Sequence, residues 1–361
     1  MNDANELISF IASMSGEGNL RVEENLGEGY VRLRVSEAER RQAKHDIQHV
    51  EDIVIEMLRN ARDAGADKVY LATTKEDGVR TLVFLDNGSG VPRDMQERIF
   101  DARVTSKLES MKMDRWGVHG RGMALFSIKQ NTDEARVVAS DVDLGSVFKV
   151  SVATDRLGER ADQSSWPQAV KDEDGRYVCA RGPHNIIRAA CEFALEELRA
   201  CDVYLGSPSE IAATLHAQAS SRLYASRLLF IDDEAELPVV DRLGLASDAE
   251  DFIRICSGLG LEMSERTAHR ILAGQIKPVR GVTARLLRER DSSSHASAPV
   301  DLAKDRRGLR IAKDDMAQFS RAVERDFNDL ASRYYLNLCG DPKIRVSRDR
   351  ITVTFDLAKE E

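Results

Sequence analysis

Apolar residues recur at spacings of three and four through Val50, Ile53, Val54, Met57 and Leu58. That spacing predicts a helix with one buried face, running from about Ser36 to Ala64. Gly65 stands where a helix stop is expected. The pattern then changes to strands over Lys68–Thr73 and Val79–Leu85, joined by Glu76-Asp77-Gly78. A short helix over Asp94–Phe100, a polar irregular stretch over 103–117 and a buried helix over Met123–Gln130 follow. Strands are predicted over Arg136–Ala139 and Ser146–Val152, and an early one over Tyr30–Val35 behind an N-terminal arm, 1–29. The order helix, strand, strand, loop, helix, strand, strand predicts an α/β sandwich instead of an alternating βαβ chain.

The second half reads less evenly. Gly158–Gly175 is polar and predicts a loop, with strands at Tyr177–Ala180 and Asn185–Ile187 and a helix over 188–201. Residues 203–247 give no clear period. Residues 249–290 are helical in three pieces, and 292–299 form a serine-rich linker. A long helix over Asp314–Leu338 and a hairpin of Lys343–Val346 with Ile351–Leu357 close the chain. The expected division is an arm, 1–29; an α/β domain, 30–190; a helical region, 191–291; the linker; and a C-terminal helix with β-hairpin, 300–361.

Composition changes this picture only by exclusion. With 42% hydrophobic and 31% charged residues the chain has an ordinary globular balance. A net charge of -9 excludes a globally basic nucleic-acid coat, though not a local patch. No apolar run of membrane-spanning length and no leader-like start stands out, so no membrane partner is expected. Five cysteines without C-x-x-C spacing predict reduced buried thiols in a cytoplasmic protein.

Three segments of the first half carry the candidate chemistry. In Glu56-Met-Leu-Arg-Asn60-Ala-Arg-Asp63, three polar residues at spacings of four and three share one helix face. A carboxylate and an amide so placed suit a hard cation that keeps waters and phosphates in its shell. Asp86-Asn-Gly88-Ser-Gly90-Val-Pro92 follows an apolar strand. Its glycines let the backbone approach a flat ligand, and its carboxylate can accept from an exocyclic amine. Gly117-Val-His-Gly120-Arg-Gly122 leads into a helix whose first N–H groups suit phosphate.

In this order and spacing the three segments resemble the GHKL ATPases, the superfamily of gyrase B, the ninety-kilodalton heat-shock chaperones, sensor histidine kinases and MutL. The resemblance covers roughly residues 30–190. It implies a Bergerat-fold, two-layer α/β sandwich (the histidine kinase-like ATPase fold) and the ligands ATP and Mg²⁺. It also implies roles: Glu56 as general base, Asn60 as Mg²⁺ ligand, Asp63 as support of the nucleotide pocket and Asp86 as reader of adenine. Gly88 and Gly90 would shape the base pocket, and Gly117, Gly120 and Gly122 the lid and phosphate motif. Thr105-Ser106-Lys107 resembles the segment before the lid in MutL and in the B subunit of type IIB topoisomerases, which makes Lys107 a phosphate candidate. The superfamily's G-T element has two candidate replacements, Gly145-Ser146 and Gly182–Asn185, of which strand order favours the second. His45 and His49 lie on what reads as the same helix as Glu56, unlike a kinase's phosphoacceptor.

The implied activity is slow ATP hydrolysis coupled through lid closure to a conformational change or dimerisation. A chaperone-like ATPase with protein clients and a histidine-kinase or anti-sigma-type protein kinase are the alternatives. Lys277 is a candidate for a second-domain lysine on the γ-phosphate. Within 266–290, Arg266, Arg270, Lys277, Arg280, Arg285, Arg288 and Arg290 face a single acid, Glu289. The surrounding segment, 249–290, resembles a helix-turn-helix. It is a candidate contact for duplex DNA.

Overall fold

The computed structural model describes residues 22–106, 112–119, 122–222, 233–287, 313–331, 336–340, 342–346 and 351–359. Residues 1–21 of the expected arm, Lys107, Gly120, Arg288, Arg290 and the linker 292–299 lie outside the described residues. The chain forms two units, Met1–Arg288 and Glu289–Glu361.

In the first unit, β1 (Val22–Gly27) and β2 (Tyr30–Leu33) form a hairpin. Ser36 then starts α1 (Glu37–Asp46) through a capping box with Glu39. The single helix expected over 36–64 is two helices. Ile47 is extended and buried, and α2 runs Val50–Asp63. The break is a capping event: Asp52 Oδ2 accepts from the backbone N–H groups of Gln48 and His49, each at 2.8 Å. His45 therefore belongs to α1, and His49 precedes α2 as its N-cap. Val50, Ile53, Val54, Met57, Leu58 and Ala61 fill the core from α2, and Gly65 ends it at a φ of +76°.

The central sheet has the order β12-β3-β4-β9-β8, built from β3 (Lys68–Glu76), β4 (Val79–Asp86), β8 (Glu134–Ser140), β9 (Ser146–Ala153) and β12 (Asp202–Gly206). Only β12 runs parallel to its neighbour, β3. This edge strand lies beyond residue 190, in the stretch whose sequence showed no clear period. Two residues of β5 (Val104–Thr105) extend the β1–β2 sheet, and β6 (Lys112–Asp114) pairs with β7 (Gly117–His119). The stretch 103–117, expected to be irregular, thus contains a short strand and most of a hairpin. Asp94–Phe100 is two 3₁₀ turns, and α3 spans Ala124–Asn131.

The region 158–175 holds β10 (Gln168–Lys171), which pairs with β11 (Tyr177–Arg181). Asn185–Ile187 is no strand. Buried Asn185 caps α4 (Ile186–Glu196), accepting from the Arg188 N–H at 2.8 Å. Then come α5 (Pro208–Arg222), α6 (Ala249–Gly258), α7 (Glu265–Leu272) and a short helix α8 over 282–287.

Strand alternation separates the sheet's two faces. Val69, Leu71, Leu82, Phe84 and Val150 pack with α2 and α4 in one core. Tyr70, Ala72, Val83, Leu85 and Val147 pack with α5, α6 and α7 in another. The α/β sandwich expected of the first half is present, and the helical region adds a third layer on its other face.

In the second unit, α9 (Lys313–Ala331) ends earlier than expected. β13 (Leu336–Leu338) pairs with β16 (Leu357–Lys359), and β14 (Lys343–Val346) pairs with β15 (Ile351–Thr354) as the expected hairpin. Phe327 stacks on Phe355 at 4.1 Å between ring centroids. No described helix is long and apolar enough to cross a membrane.

Candidate nucleotide site

The helix α2, the end of β4, the start of β9 and the start of α3 surround a cavity of about 480 Å³. Glu56, Asn60 and Asp63 reach it from α2, Asp86 and Gly90 from the β4 end, and Gly122 from the entry to α3. Met57, Ile99 and Phe148 supply apolar wall, so the cavity offers both a flat dry surface and a polar rim. Gly88 lies behind this wall, and its N–H donates to Asp86 Oδ1 at 2.8 Å. Gly117 begins β7.

The glycines are there because backbones meet. A Cβ on residue 90, at φ +72°, would lie 1.8 Å from the Asp141 carbonyl oxygen. A Cβ on Gly88 would press on Ala64 at 2.8 Å. These contacts draw the turn after β4 against both α2 and the β8–β9 connection, leaving Asp86 only 4% exposed at the cavity wall.

The two candidates for the G-T element separate clearly. Buried Ser146 opens β9 opposite Asp86, lines the cavity and lies 3.1 Å from the Ser140 hydroxyl that bonds it. Gly182 packs on Pro167, away from the cavity. Strand order favoured Gly182–Asn185 because more strands precede it, but of the two segments it is Gly145-Ser146 that the structure brings to the cavity, through Ser146. The sequence reading also missed Ser127. Its hydroxyl is buried in the cavity wall with no hydrogen-bond partner among the described residues, as is Asn60 Nδ2. A serine on an apolar helix, four residues after Met123, was the available signal.

The electrostatics of the α2 face are set by two arginines. Arg59 Nη1 donates to Glu56 Oε1 at 2.7 Å, while its Nε and Nη2 each reach Asp114 at 3.0 Å. Arg62 bonds Asp63 at 3.0 Å and both Asp114 and Glu197 at 3.1 Å. Burial would lower the Arg62 guanidinium, but these carboxylates, Asp63 foremost, hold it above its ordinary value. Among the described residues of this network four carboxylates, Glu56, Asp63, Asp114 and Glu197, face two guanidiniums.

Among the described residues no group of three His, Cys, Asp or Glu is arranged to hold a metal. A cage of that kind is not what Mg²⁺ requires when phosphates and waters supply most of its shell. The donors here fit that mode. Glu56 and Asn60 both face the cavity, and the buried Asn60 amide has an unpaired end; which end carries the oxygen is exchangeable. Lys277 is not brought to this cavity: it is exposed after α7, in the layer covering the opposite face of the sheet. His45 and His49 do not line the cavity either.

A sheet layered against α2, with this cavity between α2, the β4 turn and α3, is consistent with the α/β fold of the GHKL type. Residues 47–140 match the family model described as histidine kinase-, DNA gyrase B- and HSP90-like ATPase, so this part of the chain is similar to the GHKL ATPases. It is similar to the DNA mismatch repair protein MutL of Staphylococcus aureus, in strains Newman and JH1 among others. Identity is 28% over 136 residues, covering 35% of this chain and 20% of the relative. The match thus spans about a fifth of the length of those curated relatives.

Proposed function

We propose that the protein binds ATP with Mg²⁺ in this cavity and hydrolyses it slowly. The observation that carries the reading is the convergence of Glu56, Asn60, Asp63, Asp86, Gly90 and Gly122, from three separate sequence motifs, on one cavity. Asp86 accepts from the adenine amine, with Gly88 and Gly90 keeping the backbone close to the base. Asn60 holds Mg²⁺, Asp63 supports the pocket through Arg62, and Glu56 orients the attacking water. Bound Mg²⁺ supplies charge neutralisation to the phosphates. The protein's own part is positioning, since phosphoryl transfer to water needs little covalent help. Gly122 and the N–H groups entering α3 face the phosphates, together with Ser127, and Lys107, Gly117 and Gly120 are candidates for the same end. Closure over the nucleotide then shifts a conformational or dimerisation equilibrium, with hydrolysis as its timer.

The test is ATP binding and phosphate release by the purified chain with Mg²⁺, wild type against Glu56→Ala. Retained binding with lost release supports the reading. Phosphate appearing on protein would favour a kinase, and absence of ATP binding would overturn the proposal.

A second reading adds duplex DNA as the partner. Arg266, Arg270, Lys277 and Arg280 are exposed on and after α7, and among the described residues none has an ion pair or hydrogen bond through its side chain. Four cations without such a partner among the described residues, in a chain of net charge -9, suit a phosphate backbone. Arg285 has another task, stacking over Trp166 at 3.9 Å. The name of the relatives, a DNA mismatch repair protein, agrees with this reading.

A further inference from the structure

The Arg59 guanidinium joins two parts of the protein that the sequence keeps far apart. Its Nε and Nη2 form a two-pronged pair with Asp114, on the β6–β7 hairpin, and its Nη1 bonds Glu56 Oε1 at 2.7 Å. The Arg59 and Asp114 side chains are more than nine-tenths buried, at 3% and 8% exposure. Asp114 is itself fixed: Oδ1 also accepts the Trp116 N–H at 3.0 Å, and Oδ2 also accepts from Arg62 at 3.1 Å. The hairpin turn has a separate anchor on α4, where Arg115 lies 3.5 Å from Glu192 and Trp116 stacks on Phe193.

We infer that Asp114 and Arg59 are positioning residues for hydrolysis, fixing the orientation of Glu56 from the hairpin. This rests on the reading of Glu56 as the base. A guanidinium presents its fork to whichever carboxylate lies in plane with it. Here Asp114 occupies the Nε–Nη2 edge, and Arg59 Nη1 bonds Glu56 Oε1. Without the Asp114 charge, the same fork turns onto Glu56, engages both oxygens and competes with the water. Without the fork, Glu56 loses its bond from Arg59 Nη1, a contact that helps to hold its rotamer. In both cases ATP still binds, because neither residue supplies an adenine contact. What falls is the rate of the water-dependent step.

The alternative is that the buried ion pairs only glue the hairpin to α2. The two are separated with the full-length chain and Mg-ATP. The measurements are single-turnover hydrolysis, ATP affinity and melting temperature for Asp114→Asn, Arg59→Lys, their combination, Arg115→Ala and Glu56→Ala. Arg59→Lys keeps the charge and removes the fork. Misplacement of a reacting group by about 1 Å costs on the order of a hundredfold. A partial misorientation therefore predicts a fall of about tenfold or more in hydrolysis for each single variant. ATP affinity should stay within about threefold, because binding contacts are intact. The combined variant should fall little further, since both substitutions break one unit. Arg115→Ala, which loosens the hairpin without touching Arg59, should keep a near-normal rate. Wild-type hydrolysis in Asp114→Asn and Arg59→Lys, with Glu56→Ala inactive, overturns this inference while leaving the base reading standing. An equal fall in Arg115→Ala, in step with melting temperature, overturns it in favour of the glue. Wild-type turnover by Glu56→Ala overturns the base reading and this inference with it.

Discussion

Gly145 packs directly against the carbonyl of Asp86: a Cβ on residue 145 would stand 2.1 Å from that oxygen, at a backbone φ of +75°. The contact sets the height of the β8–β9 turn over the β4 end, where Ser146 is in register with Asp86. Gly145→Ala is therefore expected to displace Asp86 and lower ATP affinity at least tenfold. It should also destabilise the chain by about 2–3 kcal/mol, from left-handed strain plus the clash. Gly175→Ala is the control. Its φ is +77° but its Cβ would meet nothing within 4 Å. It should cost about 1 kcal/mol, with normal ATP binding. Denaturant unfolding and an ATP titration check both.

Asp86→Asn separates recognition from architecture. The Gly88 N–H now donates to Asp86 Oδ1, and an asparagine oxygen accepts the same bond. The turn should hold, with stability changed by about 1 kcal/mol or less. ATP binding should fall by more than tenfold, because the acceptor-only carboxylate that matches an exocyclic amine is gone. Normal affinity would remove Asp86 from the adenine assignment.

What the sequence could and could not disclose follows from the range of each interaction. Residues on α2 and at the β4 end were legible because periodicity and fixed spacing are local. So were the sheet strands β3, β4, β8 and β9, each a short apolar run beside turn residues. The split between α1 and α2 was not read, since no Gly or Pro marks it; the signal was Asp52, three residues after His49. The Gly145-Ser146 segment was named but ranked second, because the sheet is completed only by β12, whose parallel pairing with β3 joins positions 134 residues apart, Lys68 and Asp202. Arg59 and Asp114 were invisible as a pair for the same reason. Neither spacing nor composition reports a contact between α2 and the hairpin.

Glu159 offers a stability test away from the cavity. It accepts from Arg80 at 2.7 and 3.1 Å and from Lys75 at 2.9 Å, with the Glu159 and Arg80 side chains each 9% exposed. Burial pushes the Glu159 carboxyl up, but the bonds from Arg80 and Lys75 outweigh it and leave its pKa below the ordinary value. A depressed carboxyl contributes stability that is fully present above the unfolded pKa, about 4.3. The contribution is lost as pH falls through the lower folded value. Glu159→Gln is expected to cost about 3 kcal/mol at neutral pH, since it leaves buried Arg80 without its charge partner. The gap from wild type should close as both are titrated below the folded pKa. Urea unfolding from pH 7 down to the acid limit reads this directly, and a constant gap would disconnect Glu159 from the acid sensitivity.

The exposed cations of α7 and its following loop give the DNA reading a quantitative form. Arg266 and Arg270 are one turn apart on α7, whose buried face is Ala268 and Ile271, and Ser264 caps its start. Lys277 and Arg280 follow in the loop. If these side chains neutralise backbone phosphates, binding to a duplex oligonucleotide must weaken with salt, with a log–log slope of about 0.9 per phosphate contacted. Replacing Arg266 and Arg270 by Ala should lower the slope by about 2 and weaken binding for all sequences alike, as phosphate contacts do. ATP hydrolysis without DNA should be unchanged, because both residues sit on the layer opposite the cavity. Fluorescence anisotropy at several salt concentrations measures the slope. A duplex affinity that ignores both salt and these two arginines would remove α7 as the contact and return the partner to a protein client.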